Sequence, residues 1–136
     1  MKYTVHRQLS VAIENQPGRL ASICNVMAAA GINIKDISVV DNVEQGMIRI
    51  VTSDPPACKA VLVKEGFYVV EAEVLVVILK DTPGMLSTLA QALADAQINI
   101  DYAYGSEDPS EEHVRIVMKV SNPAKAGQII GSLAEA

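Results

Sequence analysis

Residues 9–14 (LSVAIE) form an apolar run of strand length, closed by Pro17-Gly18. A helix then places Leu20, Ile23, Cys24 and Met27 at i, i+3, i+4 and i+7, one apolar stripe that predicts a helix packed on a core. Gly31 ends that helix, and 32–40 reads as a strand. Gln45-Gly46 turns into a further strand, 47–52. Asp54, followed by Pro55-Pro56, has the form of a cap and first turn for a helix carrying Cys58, Val61 and Leu62. Gly66 ends it, and 67–72 reads as a closing strand.

The same order then repeats at an offset of 66 residues, which carries Pro17-Gly18 to Pro83-Gly84, Leu20 to Leu86 and Ile32-Asn33-Ile34 to Ile98-Asn99-Ile100. Arg49-Ile50-Val51 falls on Arg115-Ile116-Val117 before a shift of two brings Asp54-Pro55 onto Asn122-Pro123. In the second copy Leu86, Leu89, Ala90 and Leu93 form the first helical stripe. Ile98, Ile100, Tyr102 and Tyr104 alternate along one strand, and Val114, Ile116, Met118 and Val120 along the next. Ala126, Ile129, Ile130 and Leu133 make the last stripe, and 106–112 reads as a solvated hairpin loop.

Each copy is therefore β-α-β-β-α-β, which predicts an α+β fold of two ferredoxin-like sandwiches, antiparallel sheets with helices on one face. The expected repeats are 8–73 and 74–136. The second copy lacks a closing strand after Leu133, and counting back by the offset from 67–73 lands on 1–7, so the N-terminal strand is expected to complete the second sheet. Strand order 4-1-3-2 in both halves then requires the long extended segments 1–14 and 67–80 to pair antiparallel.

Composition narrows the function. Net charge is -5 with no basic cluster, and Trp is absent with Phe present once, so nucleic acid and anionic membrane surfaces are poor partners. Cys24 and Cys58 offer neither a disulfide framework nor zinc-ligand spacing, and both sit in apolar stripes. The longest apolar run, 74–79, is too short to span a bilayer, and the first residues lack a signal-peptide apolar region. A cytoplasmic chain is the expectation. No nucleophile–base pair, phosphate loop or metal-ligand set stands out, so no enzyme activity and no cofactor are expected.

The motif Asn15-Gln16-Pro17-Gly18-Arg19-Leu20 with Gly31-Ile32-Asn33-Ile34, and its second copy Asp81-Thr82-Pro83-Gly84-Met85-Leu86 with Gln97-Ile98-Asn99-Ile100, resembles the ACT domain, a small regulatory ligand-binding module. The resemblance covers nearly the whole chain, once per half, and the chain looks like the stand-alone tandem ACT proteins, which lack a catalytic domain. It implies allosteric binding of an amino acid or similar metabolite at an interface between ACT domains. It also implies a homodimer and, where a partner is regulated, a metabolic enzyme. The family uses the loop before the first helix and the Asn of the second strand, which here are Asn15, Gly18 and Asn33, and Asp81, Gly84 and Asn99.

The chemistry of those residues suits a free amino acid. A helix N-terminus offers unpaired N–H groups and the positive end of the macrodipole to a carboxylate. An Asn or Asp beside it accepts from the ammonium, and a glycine leaves the backbone approachable. Each residue also has a plain alternative. Asn15 and Asp81 can order the turn or cap the helix, Thr82 can cap before Pro83, and Pro17 and Pro83 can serve as helix starters. Asn33 and Asn99 can be solvated. Arg49 and Arg115 alternate with core residues and face solvent or an interface. The competing function is an assembly subunit that pairs with a metabolic enzyme and binds no ligand.

Overall fold

The computed structural model describes residues 1–14, 16–41, 45–107 and 112–134. The elements run β1 (Lys2–Ile13), α1 (Arg19–Ala29), β2 (Ile34–Asp41), β3 (Gly46–Thr52), α2 (Pro55–Lys64), β4 (Tyr68–Lys80), α3 (Met85–Asp95), β5 (Ile100–Glu107), β6 (His113–Val120) and α4 (Pro123–Ser132). The fold is mixed α+β, with the two ferredoxin-like halves the repeat predicts. The chain divides into two compact units, Arg7–Ala72 and Met1–His6 with Glu73–Ala136, so the division falls inside both β1 and β4.

In the unit of residues 7–72 the strand order is β2-β3-β1-β4. Strand β1 is antiparallel to β3 with Leu9 opposite Ile50 and Val11 opposite Ile48, and these four are fully buried. They meet Ile23 and Met27 of α1 and Cys58 and Leu62 of α2 in one core. In the other unit the order is β1-β4-β6-β5. Leu75 opposite Met118 and Val77 opposite Ile116 join Met85, Leu89 and Leu93 of α3 and Ala126 and Ile130 of α4.

The N-terminal strand completes this second sheet. Met1 is buried in its core, where Phe67 stands one repeat later in the first core. The correspondence extends to hydrogen bonds. The Phe67 N–H donates to the Leu62 carbonyl at 3.0 Å, and the Met1 amino group donates to the Ile130 carbonyl at 3.1 Å and also to that of Leu133. Tyr3 lies across α4, its ring against Gly127 and Gly131.

Several features of the sequence hold as expected and others shift. Asp54 caps α2, accepting from the Ala57 N–H at 3.2 Å, and Asn122 caps α4 in the same way through Lys125. Gly31 and Gly66 adopt φ of 72° and 90° after their helices. Helices α1 and α3 turn their core faces slightly from the expected stripe: Leu20 and Leu86 are 41% and 52% exposed, whereas Val26 and Met85 pack inward. Cys24 is half-buried and belongs to neither core.

The register of the third strands also corrects the repeat. Leu9 faces Ile50 and Leu75 faces Met118, so Ile50 is the counterpart of Met118, not of Ile116. The two extra residues therefore lie in the β5–β6 hairpin, and Arg49 and Arg115 are not equivalent positions. Slipping by two preserves the face a side chain points to, which is why the misregistered match looks sound in the sequence. Both arginines are half-buried.

Candidate ligand site at the turns before α1 and α3

The two helices start alike. Gly18 has φ 88° and ψ -5°, and Gly84 has φ 89° and ψ -7°. The Gln16 carbonyl accepts from the Arg19 N–H, and the Thr82 carbonyl from the Met85 N–H, each at 3.4 Å. Proline at the second position and a left-handed glycine at the third make each a type II turn. Pro17 and Pro83 are thus turn residues that precede the helices, not first-turn helix residues. The glycines are required for their backbone angle, and a Cβ added to either would meet nothing within 4 Å.

Because a glycine holds the cap position, neither helix has a side-chain cap. The carbonyls of Gly18 and Gly84 accept from Ser22 and Thr88, through both the backbone N–H and the hydroxyl. The N–H groups of Arg19 and Met85 are taken by the turns, whereas those of Leu20, Ala21, Leu86 and Ser87 have no backbone acceptor among the described residues. Ala21 and Ser87, in these first turns, are exposed. The capping alternative for Asp81 and Thr82 does not hold. Asp81 is exposed, its N–H donates to the Glu112 carbonyl at 2.9 Å, and its carboxylate has no hydrogen-bond or ion-pair partner among the described residues. Asn15, its counterpart, lies outside the described residues.

Beside the first turn sits a cavity of about 350 Å³, lined among others by Glu14, Arg19, Gln45, Glu65, Phe67 and Tyr68. Arg19 Nη2 donates to Glu14 Oε2 at 3.1 Å across its rim, with both side chains substantially exposed. The sequence reading passes over this pair, although Glu14 and Arg19 bracket the motif it identifies. In the second copy Lys80 and Met85 stand at those positions, so the two turns present different charges.

Asn33 and Asn99 serve the backbone first. The Asn33 N–H donates to Ser53 Oγ at 3.0 Å and its carbonyl accepts from the Ser53 N–H. Asn99 does the same with Ser121. Each is followed by a β-bulge, between Ile34 and Asp36 and between Ile100 and Tyr102. The Asn99 amide also donates to Asp101, which is paired with Lys119 at 2.8 Å. The hydrogen bond from Lys119 is the main reason the Asp101 carboxyl lies below its ordinary value, and the same bond raises Lys119. Within a unit the Asn and the Pro-Gly turn lie at opposite ends of one 11-residue helix, about 16 Å apart by helix rise. The fold of a single unit therefore does not bring Gly18 to Asn33 or Gly84 to Asn99.

Among the described residues no group of three or more His, Cys, Asp or Glu could hold a metal ion. Among the described residues no helix is long and apolar enough to cross a membrane.

Comparison with known proteins adds to this picture. A sequence model described as an ACT domain pair matches residues 3–133. No curated protein matches. Among solved structures, protein BT0572 from Bacteroides thetaiotaomicron superposes with a TM-score of 0.88 at 26% identity, over 95% of this chain and 88% of that one. The ligand-free regulatory subunit of aspartate kinase from Thermus thermophilus gives 0.67 at 17% identity, over 96% of each chain. The regulatory subunit of aspartate kinase from Thermus flavus gives 0.63 at 21% identity, over 96% and 94%.

Proposed function

The chain belongs to the ACT domain pair family, and we propose that it is a non-catalytic regulatory protein that binds an amino acid at the turns before α1 and α3 and passes the signal to a metabolic enzyme. A ligand-binding regulatory role is what the family gives; the amino acid, the residues and the partner are the proposal. The observation that carries it is the repeated helix start without a side-chain cap behind a type II Pro-Gly turn, with the Asp81 carboxylate, which has no partner among the described residues, beside one copy.

The assignment of roles follows charge. At α3 the first-turn N–H groups take the ligand carboxylate and Asp81 takes the ammonium. At α1 Arg19 and the first-turn N–H groups take the carboxylate, and Glu14 takes the ammonium. Asn33 and Asn99 reach these turns only from another ACT domain, which fits the family's use of interfaces. The partner reading is supported by the two regulatory subunits of aspartate kinase, whose fold and chain length this protein shares. Two free cysteines fit a reducing cytoplasm. The alternative, assembly without a ligand, has its own support in the exposed Ile37 and Val39 of β2.

Thermal denaturation against the twenty amino acids separates the two. A ligand at 100 times its dissociation constant adds about 2.7 kcal/mol of stability. A selective upward shift with one or a few amino acids is expected; no shift with any of them leaves only the assembly role.

A further inference from the structure

The cavity beside α1 carries more than the main-chain groups of an amino acid use. Arg19 and Glu14 serve a carboxylate and an ammonium, and Glu65 and Tyr68 line the same cavity. Glu65 closes α2. Its N–H donates to the Val61 carbonyl, the Gly66 N–H to that of Val63 and the Phe67 N–H to that of Leu62, at 3.2, 3.0 and 3.0 Å. This helix ending turns the chain into β4 and anchors it through Phe67, which packs on the core beside Ile13. Glu65 and Tyr68 are thereby held on either side of a fixed corner, both exposed. Neither the Glu65 carboxylate nor the Tyr68 hydroxyl has a hydrogen-bond or ion-pair partner among the described residues.

The second copy is built otherwise. Phe67 corresponds to Met1 and Leu62 to Ile130 by their shared hydrogen bond, so Tyr68 corresponds to Lys2 and Glu65 to Leu133. With Lys80 for Glu14 and Met85 for Arg19, the second copy has two lysines where the first has two carboxylates and a guanidinium. The charge that surrounds a ligand side chain therefore differs in sign between the copies.

We propose that the cavity beside α1 selects an amino acid whose side chain ends in a cation, with Glu65 and Tyr68 as the residues that receive that end; this rests on the reading of the α1 turn as an amino-acid site. Once Arg19 and Glu14 hold the main-chain groups, Glu65 is the one charged group of the cavity left without a counterpart. Lysine supplies it. Its flexible aliphatic stem lies along the half-buried Ile13 and Phe67, and its ammonium reaches the Glu65 carboxylate beside the Tyr68 ring. An acidic side chain meets two carboxylates there, and a neutral one gains nothing from Glu65. The cavity, about 350 Å³, falls in the small-ligand range of about 300–1,000 Å³. The turn before α3, flanked by Lys2 and Lys80, holds an amino acid by its main-chain groups and makes no such selection.

Calorimetric titration of the full chain with lysine and with norleucine tests it, since norleucine keeps the carbon chain and lacks the terminal ammonium. Lysine is expected to bind about tenfold or more tightly. Glu65→Gln brings lysine down to the level of norleucine and leaves norleucine unchanged. Tyr68→Ala weakens lysine by more than it weakens norleucine. Both positions are exposed, so the melting temperature of either variant stays that of the unmodified chain. Norleucine or glutamate binding as tightly as lysine, no binding of lysine by a chain that binds another amino acid, or a lysine affinity that Glu65→Gln leaves unchanged overturns this selection and leaves the amino-acid reading of the turns standing. No binding of any amino acid overturns both.

Discussion

Gln97 is a residue whose neighbours explain it better than its own chemistry. It sits one position past the α3 cap with φ 58°, the single non-glycine with positive φ among the described residues. Its N–H donates to Ala94 and the next N–H donates to Leu93, the same ending that Gly31 gives α1. Glycine has no Cβ penalty there, so Gln97→Gly is expected to raise stability by about 1 kcal/mol, read from the denaturant midpoint. Gly84 is the converse case. Gly84→Val forces a branched residue into the left-handed region and costs about 1–3 kcal/mol even though space is open around it. Binding assays on such a variant need to be run well below its melting temperature. Cys58 gives a pH signature. Burial pushes its thiol from 9.0 up to about 11. The unfolded chain ionises first, so stability is unaffected below pH 9 and falls as pH rises from 9.0 to about 11; Cys58→Ala removes that loss. In the native protein Ellman's reagent is expected to modify Cys24 and spare Cys58.

At the scale of elements, β1 and α4 show how a strand from one end of the chain is fitted to a helix from the other. A Cβ at Gly127 would lie 2.7 Å from Tyr3 Oη and 2.9 Å from Cζ. Gly127 is therefore small because the Tyr3 ring occupies its side-chain space, although glycine is a poor residue for a helix interior. Gly127→Ala is expected to destabilise the protein. In a Tyr3→Ala background the same change should stabilise by about 0.5–1 kcal/mol, since only the helix preference remains. A double-mutant cycle by chemical denaturation reads the sign change; equal effects in both backgrounds would mean that Tyr3 does not hold this position. The helical stripes show the limit of periodicity at this scale. A spacing of i, i+3, i+4 and i+7 finds the helix but admits a neighbouring face, so Leu20 and Leu86 read as core while Val26 and Met85 fill it.

At the scale of the whole molecule, the repeat makes most of the fold legible. Pro-Gly, Gly31, Asp54-Pro55 and Asn122-Pro123 mark element ends by local backbone chemistry, and the missing last strand follows from counting the offset back to Met1. What the sequence hides is register and proximity. The Arg-Ile-Val match places the two-residue shift after the third strand, and only strand pairing moves it into the hairpin. The site is legible as two turns but not as a site, because Asn33 and Asn99 lie a helix length away from Gly18 and Gly84 within their units. The Glu14–Arg19 pair escapes notice because neither residue recurs in the second copy. Asp81 is the residue on which the functional reading turns, being charged, exposed and without a partner among the described residues. The most direct measurement is a calorimetric titration of the stabilising amino acid into the unmodified chain and into Asp81→Asn. One charge-assisted hydrogen bond contributes roughly 1.5–3 kcal/mol, so the account predicts saturable binding that Asp81→Asn weakens by about tenfold or more with the fold intact. Affinity that holds in Asp81→Asn while its melting temperature falls, or no heat of binding from any amino acid, would contradict it.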